Sequence, residues 1–421
     1  MRDLLQKLNN LRRKYGAAEA LRLLARSLFR AAEARLGPGL RDCAAVEGLL
    51  RELRAGGFER VVLRLGGFGW HTPLVQRAQQ LARAMGRRGC LVLYEAAPPH
   101  ERLRGAEKLG EGLWLVNLRS PRLRRTIERA VCDSAKPRYV MAASPESRLG
   151  VGLLRRYERR GWVLLYDYID AISGEISGGT RTPRRTLALY RHAMEDPRSR
   201  IVVSSLALLR DAGARGRAAL LVENGVDFAH FSRPGPCPED ESFRALLRRG
   251  RPLVCYYGAL ARWLDYAALR AIAADGRFDL LLLGVRYDAS FDEELAGREN
   301  VFFLGAKPYA VLKDYASRCD VLLIPFRRGE VGDAASPVKL FEYLATGRPV
   351  VAGDVAECRR CKSVLIASDA ADYVRCIERA LACGEDPVRL AAAREEGSAA
   401  DWLRRAETLC AALRAEERKE G

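Results

Sequence analysis

Lys339 and Glu342 stand three residues apart in a stretch that reads SPVKLFEYLATGRPVVA from Ser336 to Ala352. On a helix that spacing puts a cation and a carboxylate on one face. The cation suits a phosphate group, and the carboxylate can accept hydrogen bonds from sugar hydroxyls. The flanking residues predict the helix that would hold them. Ser336 is a preferred N-cap, and Pro337 fits the first helical position. Leu340, Phe341, Leu344 and Ala345 recur at helical spacing and form one apolar stripe. Gly347 supplies a left-handed stop, Pro349 follows, and Val350, Val351 and Ala352 read as a short buried strand. A helix that starts this way points unpaired N–H groups and the positive end of its dipole at whatever precedes it. Ser336, Pro337, Val338 and Lys339 therefore read as an anion site.

The elements that must position this site come from a long chain. Its 421 residues call for two or three domains. Hydrophobic residues at 48% and charged residues at 29% describe a globular protein with a real core. The chain has no apolar run of about eighteen residues, so no membrane span is expected. The first residues lack the pattern of a secretory signal, and the expected location is the cytoplasm. Eleven cysteines, odd in number and scattered, read as free thiols in a reducing compartment. Cys358 and Cys361 form a lone C-x-x-C with no second ligand pair at zinc spacing, so no metal site is expected. The formal charge of +18 admits nucleic acid, anionic lipid or a phosphorylated substrate as partners. Arginine is spread along the whole chain and no nucleic-acid motif accompanies it, so no nucleic-acid partner is expected.

Residues 1–36 predict basic amphipathic helices, with Leu4, Leu8 and Leu11, then Leu21, Leu24 and Leu28, in helical period. Two readings stand: a surface helix on an anionic membrane, or an appendage docked on the body with a solvated charged face. Gly37-Pro38-Gly39 breaks the pattern, and residues 42–55 predict one more helix. Strands and helices then alternate. Strands are expected over 61–65, 91–95, 113–118, 139–144, 162–170 and 201–205, with helices over 70–86, 121–131, 147–159 and 184–195. A second series runs from the strands 252–260, 278–284, 301–305 and 319–326 into the opening stretch. Such alternation implies parallel sheets covered on both faces. The proline-rich run 233–242 reads as a linker.

The glycine loop Gly66, Gly67, Gly69 after the first strand invites comparison with a dinucleotide fingerprint. The third glycine is missing, since Thr72 stands in its place, although Glu95 ends the next strand where a ribose-binding acid would lie. That half match does not make a dehydrogenase. The opening segment S-P-V-K-L-F-E-Y-L-A-T-G-R-P-V-V instead resembles the nucleotide-sugar segment of GT-B glycosyltransferases, in particular the family 4 group of retaining enzymes (glycosyl transferases group 1). Other stretches carry the same likeness. Trp70, Arg77, Gln79, Gln80 and Leu81 resemble a W-x-x-R-Q-Q-L-A run. Asn224-Gly225-Val226-Asp227 is similar to an N-G-V-D tetrad. Gly258, Trp263, Leu264 and Asp265 resemble an F-G-x-I-x-x-W-F-D start, and Pro308 and Tyr309 an L-G-x-x-P-Y element.

The resemblance implies a GT-B α/β fold: two Rossmann-like parallel-sheet domains facing a cleft, with a helical N-terminal extension. The expected parts are a basic extension over 1–56, an acceptor domain over 57–232, a linker over 233–250, a nucleotide-sugar domain over 251–395 and a C-terminal helix over 396–421. It implies a glycosyltransferase that moves a sugar from a nucleotide diphosphate to a saccharide, lipid or lipid-linked acceptor. The expected reaction is retaining, metal-independent and free of any cofactor beyond the donor. Peripheral contact with the inner face of an anionic membrane fits the basic extension.

Residue by residue, the resemblance places the diphosphate on Lys339 and the nucleotide ribose on Glu342. It puts Gly258, Gly284 and Arg262 at strand ends around the donor, and Gly67 and Gly69 in the glycine loop of the first domain. Asp170, in YDYIDAISG, would face the cleft and bind acceptor hydroxyls or act as a base; the alternative is that Asp167 or Asp170 caps the following turn. One departure stands out. The first glutamate of the group's Glu–seven residues–Glu motif falls on Ala334, so Asp333 or Glu330 would have to cover the donor sugar. Two other readings share this fold: a nucleotide-sugar epimerase or hydrolase, and a transferase-like interaction protein without turnover.

Overall fold

The structure is a computed structural model that describes residues 42–420 apart from 67–68, 73–74, 98–100, 145–148, 173–181, 328–335 and 385, with positions 21, 25, 35, 38 and 39 ahead of them. The basic helices expected over 1–36 lie outside the described residues save for 21, 25 and 35. Contacts divide the chain into two compact units. One holds residues 1–72, 85–142 and 146–165; the other holds 73–84, 143–145 and 166–421.

Two sheets carry the chain. The first contains β1 (Arg60–Arg64), β2 (Cys90–Glu95), β3 (Ala106–Gly110), β4 (Leu113–Val116), β5 (Arg138–Ala143), β6 (Val163–Tyr168), β7 (Arg200–Val203) and β8 (Leu220–Leu221), in the order β3-β4-β2-β1-β5-β6-β7-β8. The second contains β9 (Leu253–Leu260), β10 (Asp279–Arg286), β11 (Val301–Phe303), β12 (Val321–Ile324), β13 (Val350–Gly353) and β14 (Val364–Ala367), in the order β11-β10-β9-β12-β13-β14. Every ladder of the second sheet is parallel. In the first sheet β3 runs antiparallel to β4 at the edge.

Helices separate the strands. In chain order they are α1 (Cys43–Ala55), α2 (Arg77–Arg87), α3 (Pro121–Asp133), α4 (Val151–Glu158), α5 (Arg184–Glu195), α6 (Leu206–Ala214), α7 (Phe228–Phe231) and α8 (Glu241–Arg248). Then come α9 (Tyr266–Asp275), α10 (Ser290–Glu294), α11 (Tyr309–Ala316), α12 (Val338–Thr346), α13 (Ala356–Arg359), α14 (Ala370–Ala382), α15 (Pro387–Ala399) and α16 (Trp402–Glu420). None of the described helices is long and apolar enough to cross a membrane.

The second sheet shows why its strands read as unbroken apolar runs. Successive residues point to opposite faces. Val254, Tyr256, Leu280, Leu282, Val321 and Leu323 join one core, with α9 and α14. Cys255, Tyr257, Leu281, Leu283, Leu322 and Ile324 join the other, with α11 and α12. A parallel sheet covered on both sides needs both sets apolar. β9 and β10 meet in register at Gly258 and Gly284. Gly284 has φ +140°, and a Cβ there would lie 1.8 Å from the Gly258 carbonyl oxygen. Only a residue without a side chain allows that approach.

Several expected elements differ from those observed. The helix expected over 70–86 begins at Arg77. Gln76 N–H is held by Gln79 Oε1 at 3.0 Å, a capping contact that sets the start, and His71 N–H is held by Glu101 Oε1 at 3.0 Å. The edge strand β3 was missed because its outward residues are polar and exposed. Residues expected as linker include α8, where Phe243 and Leu246 are buried in the core. The last helix starts at Trp402, since Val226 and Asp401 form a bridge just before it.

Candidate functional site

The helix expected to open on an anion begins one residue later than the sequence suggests. α12 starts at Val338, with Pro337 as the N-cap position at φ −67° and ψ 112° and no side-chain cap. Ser336 was expected to cap, but its buried hydroxyl oxygen has no hydrogen-bond partner among the described residues. The φ of Pro337 would suit a helix, but its extended ψ puts the first helical residue after it. No side chain among the described residues caps the first amides of α12; the Leu340 N–H bonds the Pro337 carbonyl at 3.0 Å, and the amides of Val338 and Lys339 lie ahead of it, at the end an incoming anion would meet. At the far end Gly347 has φ +77° and ends the helix as expected.

α12 opens on a cavity of about 370 Å³ that lies within the second compact unit. The structure brings Asp170, Gly258, Ser336, Pro337, Val338, Lys339 and Glu342 together on its wall. Aromatic surface from Tyr257, Trp263 and Tyr309 completes much of the lining.

Lys339 extends over two rings, with Nζ 5.5 Å from the centroid of Tyr256 and 5.0 Å from that of Phe326. Burial pulls its pKa down to about 8, and the charge of Glu342 partly restores it. Gly258 leaves room for this side chain: a Cβ there would sit 2.7 Å from the Tyr256 hydroxyl and 3.1 Å from Lys339 Cε. Glu342, one turn on, is 5% exposed. Tyr257 donates its hydroxyl hydrogen to Glu342 Oε2 at 2.7 Å. Burial pushes the Glu342 carboxyl up to about 7, while Tyr257 and Lys339 hold it back. The site therefore presents a cation and the start of a helix beside a carboxylate poised near neutrality.

Asp170 follows the end of β6. The Ser144 hydroxyl accepts from the amides of Ile169 and Asp170 at 3.0 and 3.1 Å and donates to the Asp170 carbonyl at 3.0 Å. This fixes the loop start and leaves the Asp170 carboxyl to the cavity. Burial and the nearby Asp167 raise its pKa to about 6, and Arg77 opposes the rise. Asp167 is not a turn cap. It forms a buried pair with Arg77, whose Nε and Nη2 each lie 3.0 Å from Oδ1.

Not every expected residue joins the cavity. Gly67, Glu330, Asp333 and Ala334 lie outside the described residues. Gly69 is buried elsewhere, its carbonyl facing the Thr72 hydroxyl at 3.5 Å. Glu95 accepts from the Gly66 N–H at 3.2 Å, so the acid weighed as a ribose ligand binds its own glycine loop. Arg262 lies outside this wall, with its N–H on Asp288 Oδ2 at 2.9 Å. Gly284 stands behind Gly258 and does not line the cavity. Cys358 and Cys361 have thiols pushed well up by burial, and all eleven cysteines are free.

Sequence reasoning had named Arg77, Asn224, Trp263 and Tyr309 only for their resemblance, without a site role. All four line the cavity. Tyr257 was seen only as a strand residue, because a tyrosine in an apolar run gives no sign of where its hydroxyl ends.

Residues 251–383 match the family model of the glycosyl transferases group 1, so that segment, α12 included, is a domain of that family. The chain is 25% identical over 191 residues to TuaH of Bacillus subtilis (strain 168), named for glycosyl transfer in teichuronic acid biosynthesis. The match covers 43% of this chain and 47% of TuaH, so the chain spans about half the length of the curated relative it matches. Among solved structures it is similar to a sucrose-phosphate synthase from Thermosynechococcus elongatus (TM-score 0.62, 17% identity, 86% of this chain and 100% of that one). It is also similar to HepE of Anabaena in complex with UDP (TM-score 0.60, 16% identity, 85% and 100%). A glycosyltransferase from Rickettsia africae is a third (TM-score 0.61, 11% identity, 86% and 100%). At these identities the structures establish the fold, two Rossmann-like parallel-sheet domains of the GT-B type. The family match and the relative's name support the enzyme class expected from the sequence, a glycosyltransferase.

Proposed function

We propose that the chain is a glycosyltransferase that moves a sugar from a nucleotide-diphosphate donor to a saccharide, lipid or lipid-linked acceptor. The observation that carries this reading is the meeting of Lys339, Glu342 and the uncapped start of α12 on one cavity wall. HepE, one of the similar structures, was solved with UDP, which supports a donor of this class.

In this reading the diphosphate lies at the start of α12. The amides there, the Ser336 hydroxyl and the Lys339 ammonium meet the negative charge that grows as the glycosidic bond breaks. They are fixed before the donor arrives, so little reorganisation is needed. Glu342 accepts from the ribose hydroxyls. Asp170 faces the cavity from β6 and takes an acceptor hydroxyl, with a pKa near 6 that leaves it ionised at neutral pH. Asp333 is the candidate to cover the donor sugar where Ala334 offers nothing. The reaction is retaining and draws on helix amides and lysine rather than a metal ion or cofactor. The protein works on the inner face of a membrane or in the cytoplasm, without nucleic acid.

Thermal shift with UDP, GDP, ADP and TDP sugars tests the reading. One donor class is expected to raise the melting temperature, and Lys339→Ala and Glu342→Ala each to abolish the rise. Unchanged shifts in both variants would move the site elsewhere. Release of free sugar without acceptor would point to a hydrolase of the same fold.

A further inference from the structure

The dipeptide Glu223–Asn224 is gripped by three arginines of the second compact unit. Arg77 Nη1 donates to the Glu223 carbonyl at 3.1 Å and to Asn224 Oδ1 at 3.3 Å. Arg405 donates from Nε to the Asn224 carbonyl at 3.2 Å and pairs through Nη1 with Glu223 Oε2 at 3.2 Å. Arg360 pairs with the other carboxylate oxygen of Glu223. Next in the chain, a Cβ on Gly225 would fall 2.5 Å from the Ala400 carbonyl oxygen. The backbone here cannot shift without breaking several charge-assisted bonds.

Asn224 itself is 8% exposed and reaches the cavity wall. Arg77 offers only donors, so the atom that faces it must be Oδ1, and the amide nitrogen must face the other way. There Nδ2 donates to the carbonyl of Ser336, the residue just before the N-cap of α12. The Ser336–Pro337 peptide has a carbonyl but no N–H. At the mouth of an anion site a bare carbonyl lone pair would oppose a phosphate. The amide of Asn224 engages that lone pair and fixes the peptide plane from which α12 starts.

We infer that Asn224, oriented by Arg77, is a positioning residue for diphosphate. It turns the Ser336 carbonyl onto itself and so aims the first amides of α12 at the cavity. The inference rests on the donor-site reading above, and it assigns to this asparagine a role in anion affinity beyond the shaping of its own turn.

The test is calorimetric titration of the full chain with inorganic pyrophosphate, UDP and uridine. Asn224→Ala is expected to weaken pyrophosphate and UDP about tenfold, the scale of one lost hydrogen bond, and to leave uridine unchanged. Asn224→Asp keeps the shape and still accepts from Arg77, but sets an oxygen against the Ser336 carbonyl. It is expected to weaken both anions by on the order of a hundredfold, again with uridine unchanged. Because Asp is nearly isosteric, it carries the test if the alanine variant fails to fold. Wild-type affinity for pyrophosphate in either folded variant would overturn the inference. So would equal losses for uridine and pyrophosphate, which would mark a merely structural role. A wild-type chain that binds neither UDP nor pyrophosphate would instead overturn the donor-site reading itself, and this inference with it.

Discussion

Tyr257 donates its hydroxyl to Glu342 Oε2 at 2.7 Å, so the carboxylate assigned to the ribose already holds one partner from the strand beside it. The phenol favours the charged form of an acid that burial would otherwise neutralise. Tyr257→Phe removes that support. The Glu342 pKa is expected to rise further above about 7, and donor affinity at pH 7 to fall several-fold while affinity at pH 9 changes less. Titration of UDP against both proteins across pH checks this.

Glu342 also sets a stability dependence with a definite sign. Its folded pKa, about 7, lies above the ordinary 4.5, so the native state binds the proton more tightly than the unfolded chain. Stability from this group is full below the unfolded value and is lost as pH rises toward 7. Glu342→Gln lacks this titration. Its melting temperature relative to wild type is expected to be higher at pH 8 than at pH 5, a difference that thermal melts at the two pH values read directly.

Lys339 titrates in the opposite sense for binding. Its pKa near 8 means that the free site loses its cation as pH rises through that value. Glu342 gains its charge only near 7. Affinity for UDP is therefore expected to peak between about 7 and 8 and to fall on both sides. Lys339→Met keeps the packing on Tyr256 and Phe326, and is expected to remove the alkaline limb and lower affinity throughout.

Arg77 and Asp167 are 3% and 1% exposed and form a buried pair. Arg77→Met strands a buried carboxylate and is expected to cost about 3–5 kcal/mol in chemical denaturation. It also withdraws the charge that holds Asp170 down, so the acid limb of any transfer reaction should move above about 6. Arg77→Met combined with Asp167→Leu is expected to recover part of the stability and to bring the acid limb back down, because Asp167 is the charge that raises Asp170.

Gly284→Ala places a Cβ against the Gly258 carbonyl at 1.8 Å, in a backbone conformation that alanine disfavours. A loss of at least ~2 kcal/mol is expected from strain at such a position, read as a lower denaturation midpoint.

Much of this was legible in the chain itself. The alternation of apolar strands with helices pointed to two sheets, parallel but for the edge strand β3, because a strand buried on both faces must be apolar throughout. Ser336, Pro337, Lys339, Glu342 and Gly347 announced a helix and its stop, since caps, stops and spacing are local properties. The same local logic misplaced the cap by one residue. Ser336 could have capped, but its carbonyl is bound to Asn224, a residue far away in sequence.

What only the tertiary structure decided is which distant groups meet. Asp167 and Arg77 lie 90 positions apart, and Asn224 and Ser336 lie 112 apart. No local pattern marks such partners, because a buried arginine and a solvated one look alike in a chain this rich in arginine. The same holds for Tyr257, whose hydroxyl is apolar filler by pattern and a carboxylate's partner in space. Periodicity determined the sheets and the helix that faces a charge. Chain closure alone determined the pKa values of Asp170, Lys339 and Glu342, since those depend on what burial removes and on which neighbour replaces it.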